Sequence, residues 1–204
     1  MDGRSWVLVR GRISYLTMAE RALAVLDTNV LLNLATPVVD GRERAPSGAD
    51  PLKAVLAAYD VHVPARVLGE VTDASQNDDL LAAAADLVLG AARHLTTHDV
   101  EERTDEPLDY GLDRGESAGI WLANELQADL FVTDEFNTTN YLFVALALDD
   151  RNTLFTTPHV LCSLARNDVL PVAYVEATLT YYVETKGWDE QYVAQLRTRY
   201  LTDE

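Results

Sequence analysis

Two short apolar runs in this chain end the same way. Leu23-Ala24-Val25-Leu26 runs into Asp27, and Leu130-Phe131-Val132-Thr133 runs into Asp134. Continuous apolar runs of this length read as strands buried on both faces, as in a parallel sheet covered by helices. In such sheets ligands bind beyond the carboxyl ends of the strands. Both aspartates fall there, which directs the reading toward an α/β domain with an acidic site.

The rest of the chain fits that frame. A helix is expected from about Asn29 to Leu34, and a loop over residues 39–50. Pro51 opens a helix to about Tyr59. Val61-His62-Val63 is a second strand, which Pro64 ends before a helix to about Thr72. Asp78 or Asp79 caps an alanine-rich helix from Leu80 to Ala92. Residues 95–100 form a weaker strand, and 101–112 are polar and loop-like. Gly115 to Gln127 is helical, as is Thr139 to Leu148. Thr153 to Thr157 is a short strand, and Pro158 opens the helix that carries Cys162. Two more helices follow Pro171, divided near Gly187. Strands alternating with helices predict three layers around a mostly parallel sheet.

Four acids stand at chemically suggestive places. Asp27 and Asp134 each follow a strand, although aspartate is also a preferred helix cap. Glu70 sits beside the apolar stripe of Val67 and Val71, about two turns after the second strand. Glu116 lies in the first turn of its helix, where an acid gains about 0.3–1 kcal/mol from the macrodipole. Gathered at one sheet edge, four carboxylates would repel, and a divalent cation would relieve that repulsion. All-oxygen ligation suits Mg²⁺ or Mn²⁺. Such an ion activates water and stabilises charge on a scissile phosphate.

The chain has 204 residues, with 16 basic and 33 acidic ones, for a net charge of −17. Only Lys53 and Lys186 are lysines. Excess acid opposes nucleic-acid binding by charge alone. Abundant acids with few lysines suggest a protein adapted to a salty, halophilic cytosol, where the Debye length falls to about 3 Å at 1 M salt; an ordinary acidic protein is the plainer alternative. The single cysteine, Cys162, excludes a disulfide framework and reads as a buried small residue. No run approaches the roughly 20 apolar residues of a membrane span. With no secretory signal visible, a cytoplasmic location is expected. Residues 1–20 are expected to be a leader, with Met18 an alternative start.

The ordered motifs Leu26-Asp27-Thr28-Asn29-Val30-Leu31-Leu32, Val63-Pro64 with Glu70, Gly115-Glu116-Ser117-Ala118 and Val132-Thr133-Asp134 resemble those of PIN-domain proteins. The resemblance covers about residues 22 to 160. It implies a three-layer α/β/α PIN-like fold with about five parallel strands over residues 21–160. Residues 161–204 would form a helical extension packed on the core. It also implies an Mg²⁺- or Mn²⁺-dependent endoribonuclease, with Asp27, Glu70, Glu116 and Asp134 as catalytic metal ligands and RNA as substrate. Many small prokaryotic members are toxin halves of VapBC toxin–antitoxin pairs, which brings in a cognate antitoxin as a candidate partner; a homodimer is also expected. Family members often carry a further acid or Asn after the last aspartate, and here Glu135 and Asn137 compete, with Asn137 preferred. Asp113 is a candidate helper beside Glu116.

Thr28 and Asn29 are candidates to orient Asp27, and Thr133 to orient Asp134. Arg66 and Arg114 are candidate RNA-phosphate contacts, with salt bridges to nearby acids the rival. His94 and His98, four apart, would pair on a helix, but the expected strand near Leu95 breaks that spacing. Tyr181, Tyr182, Trp188, Tyr192 and Tyr200 read as packing or dimer contacts. Two other functions compete. Phosphoryl transfer to an aspartate fits poorly, because it uses a site lysine and none occurs between Lys53 and Lys186. A catalytically degenerate PIN-like scaffold that binds RNA or protein is the non-enzyme alternative.

Overall fold

The computed structural model describes residues 21–40, 47–104, 112–134, 138–149 and 152–202, with backbone alone at 138–139 and at a pair of two-residue antiparallel strands, 8–9 with 12–13. The expected leader therefore falls almost wholly outside the described residues, as do Glu135 and Asn137.

Five parallel strands form one sheet. They are β1 (Leu23–Leu26), β2 (Asp60–Pro64), β3 (Thr96–His98), β4 (Leu130–Val132) and β5 (Thr153–Phe155), in the order β3-β2-β1-β4-β5. Nine described helices connect and extend them: α1 (Thr28–Val39), α2 (Pro51–Ala58), α3 (Ala65–Ala74), α4 (Leu80–Ala91), α5 (Arg114–Leu126), α6 (Thr138–Ala147), α7 (Thr157–Arg166), α8 (Val172–Lys186) and α9 (Glu190–Tyr200).

The pleat of β1 and β4 separates two cores. Ala24, Leu26, Leu130 and Val132 face a large cluster built with residues of α1–α4 and α7–α9. Val25 and Phe131, one residue out of phase, face a smaller cluster with Ala118, Ile120, Leu122 and Ala123 of α5 and Val144 of α6. Burial on both faces explains why these strands read as unbroken apolar runs rather than alternating ones.

The predicted helix starts hold where a cap is present. Asp79 accepts from the Ala82 amide at 2.8 Å and opens α4. Asp50 caps α2 with Pro51 in the first turn, and Gly187, in the left-handed region at φ 67°, closes α8. The largest departure is α1, expected to stop near Leu34 but running to Val39 with Pro37 inside it. Proline has no N–H, so the carbonyl of Asn33, four residues earlier, loses its helical donor. The buried Tyr182 hydroxyl of α8 donates to that carbonyl instead. A partner about 150 positions away thus lets the helix continue through its proline, and no local pattern carries that information.

The C-terminal helices are fastened by their aromatic residues. Tyr182 stacks on Trp188 at 4.1 Å, the Tyr181 hydroxyl donates to Asp40 at 2.6 Å, Tyr192 bonds Thr156 at 2.8 Å, and the Tyr200 hydroxyl bonds His159 at 2.5 Å. This is the packing role expected of them. The boundary drawn at residue 160 falls inside α7, whose Val160, Leu161, Cys162 and Leu164 sit in the larger core. Cys162 is fully buried, with its thiol pushed up to about 12 by burial. Among the described residues, no helix is long and apolar enough to cross a membrane.

Candidate functional site

The strand order reverses direction between β1 and β4. Such a switch point leaves a crevice at the carboxyl ends of the two strands. Leu26 pairs with Val132, and the Asp27 amide donates to the Val132 carbonyl at 3.1 Å, so Asp27 and Thr133 leave the sheet side by side. Asp134 follows one residue later.

Asp27 is the N-cap of α1, accepting from the Thr28 amide at 2.7 Å. Its other oxygen accepts from the Thr133 hydroxyl at 3.3 Å. Thr133 was expected to serve Asp134; its hydroxyl reaches across the switch point to Asp27. Burial raises the Asp27 pKa to about 6, and the charges of Glu70 and Asp134 push the same way. The capping hydrogen bonds oppose them and are outweighed.

Glu70 comes from the second turn of α3 and meets α1 directly. It accepts from the Thr28 hydroxyl at 2.5 Å and from Arg66 at 3.0 Å. Arg66 is therefore engaged by Glu70, the salt-bridge fate weighed against phosphate binding. Glu70 also lies against the start of α5: a Cβ added at Gly115 would stand 3.2 Å from a Glu70 oxygen and 3.3 Å from an Asp113 oxygen. The missing side chain at Gly115 is what permits this approach.

Glu116 is buried, in a capping box with Asp113. The Glu116 amide donates to Asp113 at 2.8 Å, and the Asp113 amide to the Glu116 carboxylate at 3.3 Å. Arg114 is exposed at the first position of the same helix.

Asp134 is buried and holds three donors. The Asn33 amide group reaches it at 2.6 Å, the Thr157 hydroxyl at 2.6 Å and the Thr157 amide at 2.7 Å. Its pKa is raised by burial, which outweighs these bonds and the nearby charge of Lys186. It thus also satisfies an unpaired amide at the start of α7, a helix distant in sequence whose own N-cap is Thr156.

Asp27 lies within electrostatic reach of both Glu70 and Asp134 at the carboxyl ends of the strands, and Glu70 lies against the start of α5. The acids do not form a ready-made cage: among the described residues, no three His, Cys, Asp or Glu side chains are placed to hold a metal together. Asp27, Glu70 and Asp134 are each turned toward protein hydroxyls and amides. In chemistry the set is all oxygen, the donor type of a hard divalent cation, with Arg66 on Glu70 and the Lys186 charge near Asp134. Asp27, Glu70, Glu116 and Asp134 are the residues that could hold such a cation, although as placed no three of them do so together.

Comparison with protein-family models, with curated proteins and with solved structures found no match to this chain.

Two residues escaped the sequence reading. Asn33 is a buried polar side chain inside Leu31-Leu32-Asn33-Leu34, and that misplaced polarity was its available signal. Lys186 lies outside the acid-bearing segments in sequence, yet its ammonium donates to the Asn33 side-chain oxygen at 2.5 Å, one residue removed from Asp134. The lysine argument against aspartyl-phosphate chemistry therefore weakens. Asp134 itself is ill suited as a nucleophile, with three of its roughly four lone-pair positions taken. Elsewhere, His94 sits in a 3-10 turn and His98 in β3, so they do not share a helix face. His98 instead stacks on His62, their nitrogens 2.8 Å apart.

Proposed function

We propose that this protein is a PIN-like, Mg²⁺- or Mn²⁺-dependent endoribonuclease, with Asp27 at the centre of its site. The observation that carries the reading is the state of Asp27. It stands at the switch point of a parallel sheet, and both its burial and the charges of Glu70 and Asp134 work against its ionisation. Structural caps have no need of that company. A strongly perturbed acid in a crevice is a candidate for chemistry, a state that structural charge networks can also produce. The sheet order and the C-terminal helices are compatible with a PIN-like three-layer fold.

A bound divalent ion supplies an activated water and charge stabilisation at the scissile phosphate. The chain's own part is to position. Thr28 fixes Glu70 against α1, Thr133 fixes Asp27, and Asn33 with Thr157 fixes Asp134. Arg114, exposed at the rim, is the candidate phosphate contact that remains from the sequence, and a toxin role with a cognate antitoxin would follow only for a nuclease.

One observation favours the degenerate-scaffold alternative: no three described carboxylates are gathered as a metal cage. Incubating purified protein with RNA and Mn²⁺ separates the two. The nuclease reading expects cleavage that Asp27→Asn abolishes. Equal rates for variant and wild type would show that the site is wrong, and no cleavage by either protein would favour the scaffold.

A further inference from the structure

A cavity of about 520 Å³ with a mixed polar and apolar lining opens beside Asp134. Asn29 and Asn33 of α1 form one wall, and Lys186, Gly187, Trp188 and Asp189 the other. The second wall belongs entirely to the α8–α9 junction, far from the acid-bearing segments in sequence. Its shape is set by rigid parts: Gly187 ends α8 in the left-handed region, Trp188 is buried and stacked on Tyr182, and Asp189 caps α9 through the Tyr192 amide at 2.6 Å. Lys186 is thereby delivered to the cavity at the foot of α8.

Lys186 is one of two lysines in a chain of net charge −17. It is held by a single observed hydrogen bond, to the Asn33 side-chain oxygen. An ammonium has three donors; Asn33 takes one, and the charge also acts on the Asp134 carboxylate. Asn29, exposed on the opposite wall, adds a neutral donor and acceptor. The cavity offers one cation and amide groups beside two carboxylates, Asp134 and Asp189; the cation and amides suit an oxyanion, and the carboxylates suit hydroxyl donors, which together are the make-up of a sugar-phosphate unit.

We propose that this cavity binds a phosphate-sugar unit of a nucleic-acid strand, with Lys186 as its phosphate contact, so that the C-terminal helices are part of the substrate site. The identity of the strand as RNA rests on the ribonuclease reading; the cavity's preference for a phosphate ester does not. The arrangement also answers the charge problem of an acidic protein, because it sets a cation beside the carboxylates.

The test uses the full chain and a fluorescent single-stranded oligoribonucleotide, with binding followed by anisotropy in EDTA so that metal-dependent cleavage cannot intervene. Lys186→Gln keeps a donor for Asn33 but removes the charge, and should weaken binding about tenfold, as loss of one charged phosphate contact would. Lys186→Arg should restore most of the affinity. Where cleavage with Mn²⁺ is measurable, Lys186→Gln should raise KM more than it lowers kcat. Wild-type binding undiminished in Lys186→Gln overturns the proposal, as does absence of any binding by the wild type. Loss of binding in Lys186→Gln without cleavage by the wild type would support the phosphate site while removing the ribonuclease reading.

Discussion

The hydroxyl of Tyr182 donates to the backbone carbonyl of Asn33, the one group that Pro37 leaves without its helical partner in α1. The same Asn33 holds Asp134 with its side-chain amide and Lys186 with its side-chain oxygen. One residue thus links the proline-containing helix, the C-terminal extension and the acid site. A helix irregularity is repaired by the element that also completes the site.

This link predicts a coupling. Tyr182→Phe should cost about 1–3 kcal/mol, because a buried carbonyl is left unsatisfied. Pro37→Ala supplies the missing N–H, so the same tyrosine change should cost markedly less in a Pro37→Ala background. Urea unfolding of the four proteins of the cycle measures the interaction energy. Additive effects would show that the hydroxyl does not substitute for the proline's missing donor.

Thr28 should matter through Glu70. Its hydroxyl is the donor that brings α3 onto α1 at the site. Thr28→Val keeps the amide that caps against Asp27 and removes only that donor. A stability loss of about 0.5–1.5 kcal/mol is expected by denaturant unfolding, together with a fall in any RNA cleavage. Cleavage at the wild-type rate would mean that Glu70 does not need this anchor.

The fold was legible wherever a local rule decides an element. The buried strands announced themselves as unbroken apolar runs, and Asp79 and Pro51 marked helix starts through capping and proline geometry. The neighbourhood of Asp27 and Asp134 followed from strand ends and the parallel sheet. What sequence could not show were the long-range substitutions: Tyr182 acting as a helix donor, and Lys186 arriving from α8. Nor could the orientation of each carboxylate be read. Asp113 and Glu116 close on each other, and Asp134 closes on Thr157 and Asn33, because capping competes for the same oxygens that a cation would use.

His159 provides a pH handle away from the acids. Its ring stacks on Phe155 and bonds Tyr200, and its pKa is lowered to about 4, chiefly by burial and further by Arg199. The unfolded chain, with a histidine near 6.5, binds a proton that the folded one rejects. Stability from this group is full above about pH 6.5 and is lost as pH falls toward 4. Between pH 7 and 5, the wild type should lose more stability than His159→Phe in parallel urea titrations. Identical losses would place the acid sensitivity elsewhere.

Asp27 should behave in the opposite sense. Its folded pKa of about 6 lies above the ordinary 3.8, so the folded protein binds the extra proton and stability falls as pH rises from about 4 to 6. Asp27→Asn keeps an acceptor for the Thr28 amide and removes the repelled charge. In EDTA at pH 7 it should be more stable than wild type by about 1–3 kcal/mol, and the gain should vanish near pH 4. A variant less stable than wild type at pH 7 would make Asp27 a structural cap and nothing more.

Thermal unfolding with and without Mn²⁺ tests the central claim most directly, because an ion bound only by the folded state raises its midpoint by mass action. The account predicts that millimolar Mn²⁺ raises the midpoint of wild type above its value in EDTA and leaves that of Asp27→Asn unmoved. An equal rise in both proteins, or none in wild type, would contradict it.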